Sequence, residues 1–556
     1  MVLGRVSRRA LLVGGWSVLG VPVLAACLGR ESKGKKGGGS AASGGAGSGS
    51  AGASASASGS AGASGGSGQG VTRTVSTAGA TLKVTVGPAV VSNDVMVVPL
   101  AAHLDKAGSG SLSSDGKKFD VHLAWDRNDR VSGAEGVRLV DLDAGTVQAT
   151  FKASSESDGL TDKEPDVTLH ALFKPVDAST INVLVPESGL FEGVPVVRDG
   201  KLSEDAKKAL EDVYDTESSP DPVALETFTA SVDGASDTRV TGKSVTITLA
   251  SDVLFDSDSA DLSAQADTTL KKAADQLSTY PGGQVTIVGH TDDVADDAHN
   301  QDLSQRRAQA VSDRLGQLAS MSAYSVSVSG KGESEPRVPN DSDENRQLNR
   351  RVEITLVPTQ ESSTKSPTGT SKDADKGSGK GGGDLPKAEG PVAKGSEGVT
   401  VKRGGGDDKL TFVLKEVTRR GKYLVGEVKA TGGPGGTKTG PADWLQPTQL
   451  AGSARGEEDT KLLSAVTGLS LLTAQTRYYP VDYTTAQGAH HPLSEITADN
   501  KLGDGDATTL TVVWPDTGQD TVTLDLEPSK RPTRPNNPFR LTDIPIKGQA
   551  ITIQKS

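Results

Sequence analysis

A chain of 556 residues with 67 glycines, 34% hydrophobic and 3% aromatic residues is too lean for one large core, and predicts roughly two to four small domains joined by linkers. Its formal charge of -12 gives no general electrostatic pull towards nucleic acid or anionic membrane, so nucleic-acid binding is not expected. Its single cysteine, Cys27, rules out a disulfide framework and a cysteine-rich zinc site.

Residues 1–26 begin with Arg5, Arg8 and Arg9, continue as an apolar run from Ala10 to Ala26, and end Leu24-Ala25-Ala26 directly before Cys27. The run is short for a membrane span and is broken by Gly14, Gly15, Gly20 and Pro22. It resembles a bacterial lipoprotein signal, which implies cleavage before Cys27 and lipid attachment to that thiol, with palmitate as an expected acyl group. Ser7-Arg8-Arg9-Ala10-Leu11-Leu12 also looks like a twin-arginine export signal; an ordinary secretory start holding two arginines is the other reading. Residues 27–70 are then a tether. From Gly34 to Gly70 it is almost entirely Gly, Ser and Ala, with too little apolar surface to offset the entropy of ordering. As a coil its ends lie on the order of 35 Å apart.

Residues 71–199 turn β-rich, with Leu82 to Val86, Val95 to Leu100, Val121 to Trp125 and Val183 to Val185 separated by Gly, Asp and Ser clusters, the pattern of a β-sandwich. Within 200–240, Leu202 to Tyr214 has helical spacing and Glu217 to Asp237 reads as a polar connector.

Across 241–357 the pattern changes. Val245 to Leu249 alternates as a strand and Val253 to Asp256 follows. Leu262, Ala266, Leu270, Ala273, Leu277 and Tyr280 then recur at threes and fours, predicting an amphipathic helix that Pro281-Gly282-Gly283 ends. A strand over Gln284 to Val288, a helix with Leu303, Val311, Leu315 and Leu318 on one side, and strands over Tyr324 to Ser329 and Val352 to Val357 complete a β-α-β-α-β-β order. That order predicts an α/β sandwich with its helices on one face of a small mixed sheet.

The stretch His290 to Arg307 concentrates the chemistry. Asn300, Leu303 and Arg307 are spaced by three and four, so they share a helix face, and Asp292 sits just past the preceding strand. A carboxylate at a strand tip and a guanidinium on the next helix can flank a small zwitterion. This is a binding site, with no nucleophile or general base.

Phe255-Asp256, His290-Thr291-Asp292, Asn300, Leu303-Ser304, Arg307-Ala308, Gly330-Lys331-Gly332-Glu333 and Asn349-Arg350-Arg351-Val352 together resemble the OmpA C-terminal-like domain, the peptidoglycan-binding module of Pal-type lipoproteins and flagellar stator proteins. The resemblance covers roughly residues 240–357. It implies binding of the diaminopimelate in wall stem peptides, with Asp292 and Arg307 at the positions of the family's ligand carboxylate and arginine, and Asn300, Thr291 and Leu303 around them. One departure stands out: the family has Gly three residues after the aspartate, and this chain has Ala295. If φ is positive there, alanine is costly.

Residues 358–397 form a second Ser, Thr, Lys, Gly and Pro linker. Residues 398–556 return to strands: Leu410 to Val417, Tyr423 to Val428, Leu510 to Val513 and Thr521 to Leu526. Thr509 to Gly518 (TLTVVWPDTG) resembles Thr180 to Gly189 (TINVLVPESG), which suggests two related immunoglobulin-like sandwiches flanking the central module. Two unrelated β domains sharing a strand–turn pattern are the alternative.

Other constellations are weaker. Ser114-Asp115-Gly116-Lys117 and Lys438-Thr439-Gly440 have penicillin-binding spacing but lie in different domains, the first in a Ser/Gly turn, so chance explains them better. The acidic loop with His290 and His299 lacks a calcium-loop pattern, and His490-His491 has no third ligand in view. No cofactor and no metal are therefore expected. The sequence reads as a non-enzymatic lipoprotein on the extracytoplasmic face of the membrane (the outer membrane, where a cell has two). Its partners are peptidoglycan, the bilayer through Cys27 and an unidentified protein. The alternative is a wall-targeted enzyme or partner-binding protein whose sandwiches carry the activity.

Overall fold

The computed structural model describes residues 69–548, apart from 110–133, 154–159, 212–219, 360–383, 404–407, 456–463, 497–500, 530–535 and isolated positions. The signal segment with Cys27, almost all of the tether, Val121 to Trp125, Ser114 to Lys117 and most of the second linker lie outside the described residues.

Alternation decides the central sheet. Val245, Ile247 and Leu249, then Val285 and Ile287, then Val352, Ile354 and Leu356 are buried on one face of their strands. Helices Ala266–Leu277 and Asp297–Leu318 cover that face with Leu270, Ala273, Ala274 and Leu277 and with Ala308, Val311 and Leu315. Across the sheet the strands run Ser236–Val240, Val245–Ala250, Arg351–Pro358, Gly283–His290 and Tyr324–Gly330. Only the last pair is parallel, as a strand–helix–strand crossover requires. Two glycines let the second helix sit directly on the strand ends. A Cβ at Gly289 would lie 2.1 Å from the Ser304 carbonyl oxygen, and one at Gly330 would lie 2.4 Å from the Gln305 nitrogen.

Some local expectations change. Ser251–Leu254 is a helical turn, not a strand continuation, and Leu262 bridges to Phe255 before the first long helix begins at Ala266. In the polar loop before the last strand, Asp343–Asn349 forms a helix capped by the Ser342 hydroxyl.

The larger correction concerns Glu217 to Asp237. Where a polar connector was expected, Val223–Ser231 is a strand with buried residues on both faces. Its first residues pair with Thr146–Ala149 and the next with Asp482–Thr484; its second half pairs with Ser236–Val240 on one side and Thr476–Tyr478 on the other. Glu226, Thr227 and Thr229 are buried on it beside Leu225 and Phe228, so no apolar–polar alternation marked it.

Each flanking region is β-rich. In the first, Val71–Thr77, Ala80–Val86, Val95–Lys106 and Asp166–Phe173 form an antiparallel set whose core is shared with Thr180–Val185 and Gly189–Arg198. In the last, Tyr423–Gly432 and Ala507–Pro515 share a core with Leu469–Leu472, Thr521–Leu526 and Phe539–Lys547. The two like segments are used differently. Thr180–Val185 pairs with the strand that follows its own turn. Ala507–Pro515 pairs with Tyr423–Gly432, while Thr521–Leu526 pairs with two other strands. The likeness ends at the turn, and strand pairing gives no support to a duplicated sandwich. The regions also touch: Arg420 forks onto Glu192 at 2.6 and 2.9 Å, and the Thr508 hydroxyl donates to buried Glu187 at 2.9 Å.

Phe228 on the shared strand is buried against Tyr479, with the Arg455 guanidinium over its ring. Phe228→Ala should cost about 3–5 kcal/mol of unfolding free energy, measured by denaturant titration. Hydrogen exchange should show amides of 236–240 and 476–478 losing protection together; loss on one side only would contradict the shared role.

Candidate ligand-binding site

The site is built where strand Gly283–His290 ends and helix Asp297–Leu318 begins. Asp296 caps the helix, its carboxylate accepting from the His299 amide at 3.1 Å. One turn on, the Asn300 amide nitrogen reaches the Asp292 and Ala295 carbonyls at 3.2 Å each and the Glu333 carboxylate at 2.7 Å. Asn300 therefore staples the loop in place. The Thr291 amide donates to the Gly332 carbonyl at 2.9 Å, and its buried hydroxyl has no hydrogen-bond partner among the described residues. Leu303 is buried on the helix face it shares with Asn300 and Arg307.

Arg307 is 5% exposed. Its Nε donates to the Ser259 carbonyl at 2.8 Å, its Nη2 to the Asp256 carbonyl at 3.4 Å, and its guanidinium lies 5.1 Å from the centre of the Phe255 ring. These partners are neutral. Among the described residues no carboxylate comes within ion-pairing distance of Arg307, and burial pushes its pKa down, partly opposed by the more distant Asp252 and Asp258. A guanidinium taken out of water without an anion is a costly arrangement that a bound anion would relieve.

Asp292 is 9% exposed and already engaged: its Oδ2 accepts from Arg350 Nη1 at 2.6 Å. Arg350 in turn forks onto Asp252 at 2.8 and 2.7 Å. The predicted Asp292 and Arg307 thus lie on the loop and helix as expected but each is held by other groups. Neither Asp252 nor Arg350 was among the predicted site residues. Arg350 carried a signal as part of Asn349-Arg350-Arg351; Asp252 carried none, because its partner is 98 residues away.

Ala295 does not need the conformation feared for it. The described non-glycine residues with positive φ are Asn93, Glu187, Asp258 and Asp543, so the left-handed position falls at Asp258, in the Phe255–Ser259 loop that accepts from Arg307. There the Asp258 carboxylate meets His299 Nε2 at 2.6 Å. In the acidic loop Asp293 pairs with Arg346 at 2.8 Å.

Behind the loop, His290 is 3% exposed and neither ring nitrogen has a hydrogen-bond partner among the described residues. Burial first, and the Arg351 charge second, push its pKa down to about 4, so the ring is neutral near pH 7. His490 departs from expectation. It lies in strand His490–Pro492, with Nε2 2.9 Å from the Asp482 carboxylate and 3.9 Å from that of Glu226. A cation there would have to compete with Arg239 and Arg455, which already pair with those two carboxylates. Glu226, Asp482 and His490 bring their ligand atoms within 4.8 Å of one another, with the two arginines beside the two carboxylates. Thr439, from the second penicillin-binding-like triplet, accepts from Arg403.

Residues 254–350 match the OmpA family. Outer membrane porin F of Pseudomonas aeruginosa is 42% identical over 102 residues, which are 18% of this chain and 29% of the porin. The probable lipoprotein YiaD of Escherichia coli K12 is 36% identical over 125 residues, 22% of this chain and 56% of the lipoprotein. The solved cell wall anchor of the T6SS from Pseudomonas aeruginosa is 33% identical, covering 22% of this chain and 88% of that one, with a TM-score of 0.20. The chain spans under a third of the porin and just over half of the lipoprotein.

The buried His290 makes stability pH-dependent. An unfolded histidine titrates near 6.5 and this one near 4, so between those values the unfolded chain holds the extra proton and stability falls as pH is lowered. His290→Leu should remove a slope that amounts in total to on the order of 2–4 kcal/mol. Urea titrations at pH 7, 6, 5 and 4 measure it, and parallel profiles for the two proteins would refute the assignment.

Proposed function

Residues 254–350 are an OmpA family domain, and on that premise we propose that the chain is a cell-envelope lipoprotein that holds peptidoglycan non-covalently. The ligand is the diaminopimelate of the wall stem peptide, whose free end carries an ammonium and a carboxylate on one carbon. One observation carries this reading: Arg307 is a buried guanidinium whose partners are carbonyls and a ring, with Nη1 unbonded among the described residues. A ligand carboxylate would supply the missing anion through paired, charge-assisted hydrogen bonds. Asp292 would take the ammonium, Asn300 would hold the loop that presents it, the Thr291 hydroxyl has bonding capacity to spare, and Leu303 backs the helix face. The domain alters no bond in what it grips.

Lipidated Cys27 would fix the chain to the extracytoplasmic face of the membrane, and the Gly/Ser/Ala tether would let the domain reach the wall. The flanking β regions, which we take as immunoglobulin-like sandwiches, are then the surfaces free for a protein partner. Cys27→Ala should abolish lipid labelling and move the protein out of the detergent phase; unchanged partitioning would end the lipoprotein claim.

Pull-down on purified sacculi tests the site. Asp292→Ala or Arg307→Ala should weaken binding by about 2–5 kcal/mol, because each leaves a charged ligand group unpaired, and the double variant should lose less than the sum. Arg307→Lys should also weaken it, since an ammonium cannot present a planar fork. Asp293→Ala should matter far less, its carboxylate being spent on Arg346 at the rim. A folded Asp292→Ala, Arg307→Ala protein that still binds like wild type would falsify the site. Release of labelled fragments from sacculi would instead favour the wall-modifying enzyme.

A further inference from the structure

The zwitterion grip uses Asp292 and Arg307 and leaves two charged groups of the same site unexplained. Arg350 joins two carboxylates that are far apart in sequence: it forks onto Asp252 at 2.8 and 2.7 Å and gives its remaining nitrogen to Asp292 at 2.6 Å. The three side chains are partly open, with 29% of Arg350, 39% of Asp252 and 12% of Asp292 accessible, so a small ligand can reach the bond between Arg350 and Asp292. Arg307 lies close enough to feel the charges of both Asp252 and Arg350. These four side chains, Asp252, Asp292, Arg307 and Arg350, thus carry two negative and two positive charges.

We propose that Arg350 is a specificity-determining residue: it is the resident counter-ion of Asp292, which a ligand ammonium must displace, so that a ligand binds well only when it also brings a carboxylate for Arg307. This rests on the binding reading above. The physical argument is an exchange. A bare ammonium entering the site must break a 2.6 Å charge-assisted bond to win Asp292, and it leaves these four groups with one excess positive charge. A zwitterion breaks the same bond but supplies an anion to the buried Arg307, restoring the balance. Arg350 can let go of Asp292 at modest cost because Asp252 keeps its two bonds to it. Discrimination then comes from a penalty on the wrong ligand as much as from attraction to the right one.

The chemical contrast is available in soluble stem tripeptides that differ only in the third residue: diaminopimelate, which ends in an ammonium and a carboxylate, or lysine, which ends in an ammonium alone. Titration calorimetry of the full chain should show wild type preferring the diaminopimelate peptide by on the order of 100-fold. Arg350→Gln frees both peptides of the displaced bond and leaves Asp252 and Asp292 without their cation. The lysine peptide, with its net positive end, should then gain about tenfold more than the diaminopimelate peptide, and the preference shrink by that factor. Asp252→Asn has the opposite effect: one negative charge is lost, the excess positive charge falls hardest on the lysine peptide, and the preference should widen through its larger loss. A residue that merely held the loop would not move the ratio in opposite directions in the two variants.

Parallel losses for both peptides in Arg350→Gln, with the ratio unchanged, would overturn the proposal. So would selective loss of the diaminopimelate peptide, which would mean that Arg350 grips the ligand carboxylate itself. Should Arg350→Gln fail to fold, the sign of the change in Asp252→Asn decides alone. Wild type that fails to distinguish the two peptides would defeat the underlying binding reading, and this inference with it, and is separable from the other outcomes because it needs no variant.

Discussion

The backbone of Val223–Ser231 is the constraint on which the described structure depends. Every strand edge must be paired or covered, and this one segment gives its hydrogen-bonding groups to strands from all three regions of the chain. Through it the sheet of the OmpA family domain continues without interruption. From Ser236–Val240 it passes to Val223–Ser231, then to Thr476–Tyr478, Leu469–Leu472, Thr521–Leu526 and Phe539–Lys547. Polar residues on the segment are satisfied by this convergence: Glu226 is buried because Arg239 comes from the neighbouring strand to meet it.

That continuity changes the mechanical picture of the domain. A bead on a linker transmits load only through its chain ends, whereas strands joined edge to edge share load across many backbone hydrogen bonds. The Arg420–Glu192 fork and the buried Glu187–Thr508 bond tie the first and last β regions directly as well.

Within the domain, the geometry of the candidate site follows from two close approaches. Gly289 and Gly330 let the helix carrying Asn300, Leu303 and Arg307 lie on the tips of two parallel strands. The same seating buries Arg307 under Phe255 and the Ser259 carbonyl, where no carboxylate of the described residues comes within ion-pairing distance. Three other buried arginines meet carboxylates: Arg419 pairs with Asp516, Arg455 with Asp482 and Arg540 with Asp525.

The sequence by itself determined the alternating strands and amphipathic helices of the central domain, the position of Asp292 just beyond a strand, and the common face of Asn300, Leu303 and Arg307. These are local properties, set by periods of two and 3.6 residues and readable over a short window. Only the tertiary structure decided the rest. Val223–Ser231 shows no alternation because both its faces are buried, and burial on a second face is a property of what packs there. The ion pairs of Asp292 and Asp252 meet at Arg350, 58 residues from Asp292 and 98 from Asp252. The Glu226, Asp482 and His490 cluster likewise joins one strand to two neighbouring strands that lie far from it in the chain. An ion pair leaves no periodic trace in the sequence, since it requires only that two side chains meet in space, and their meeting is set by how the sheets close on one another.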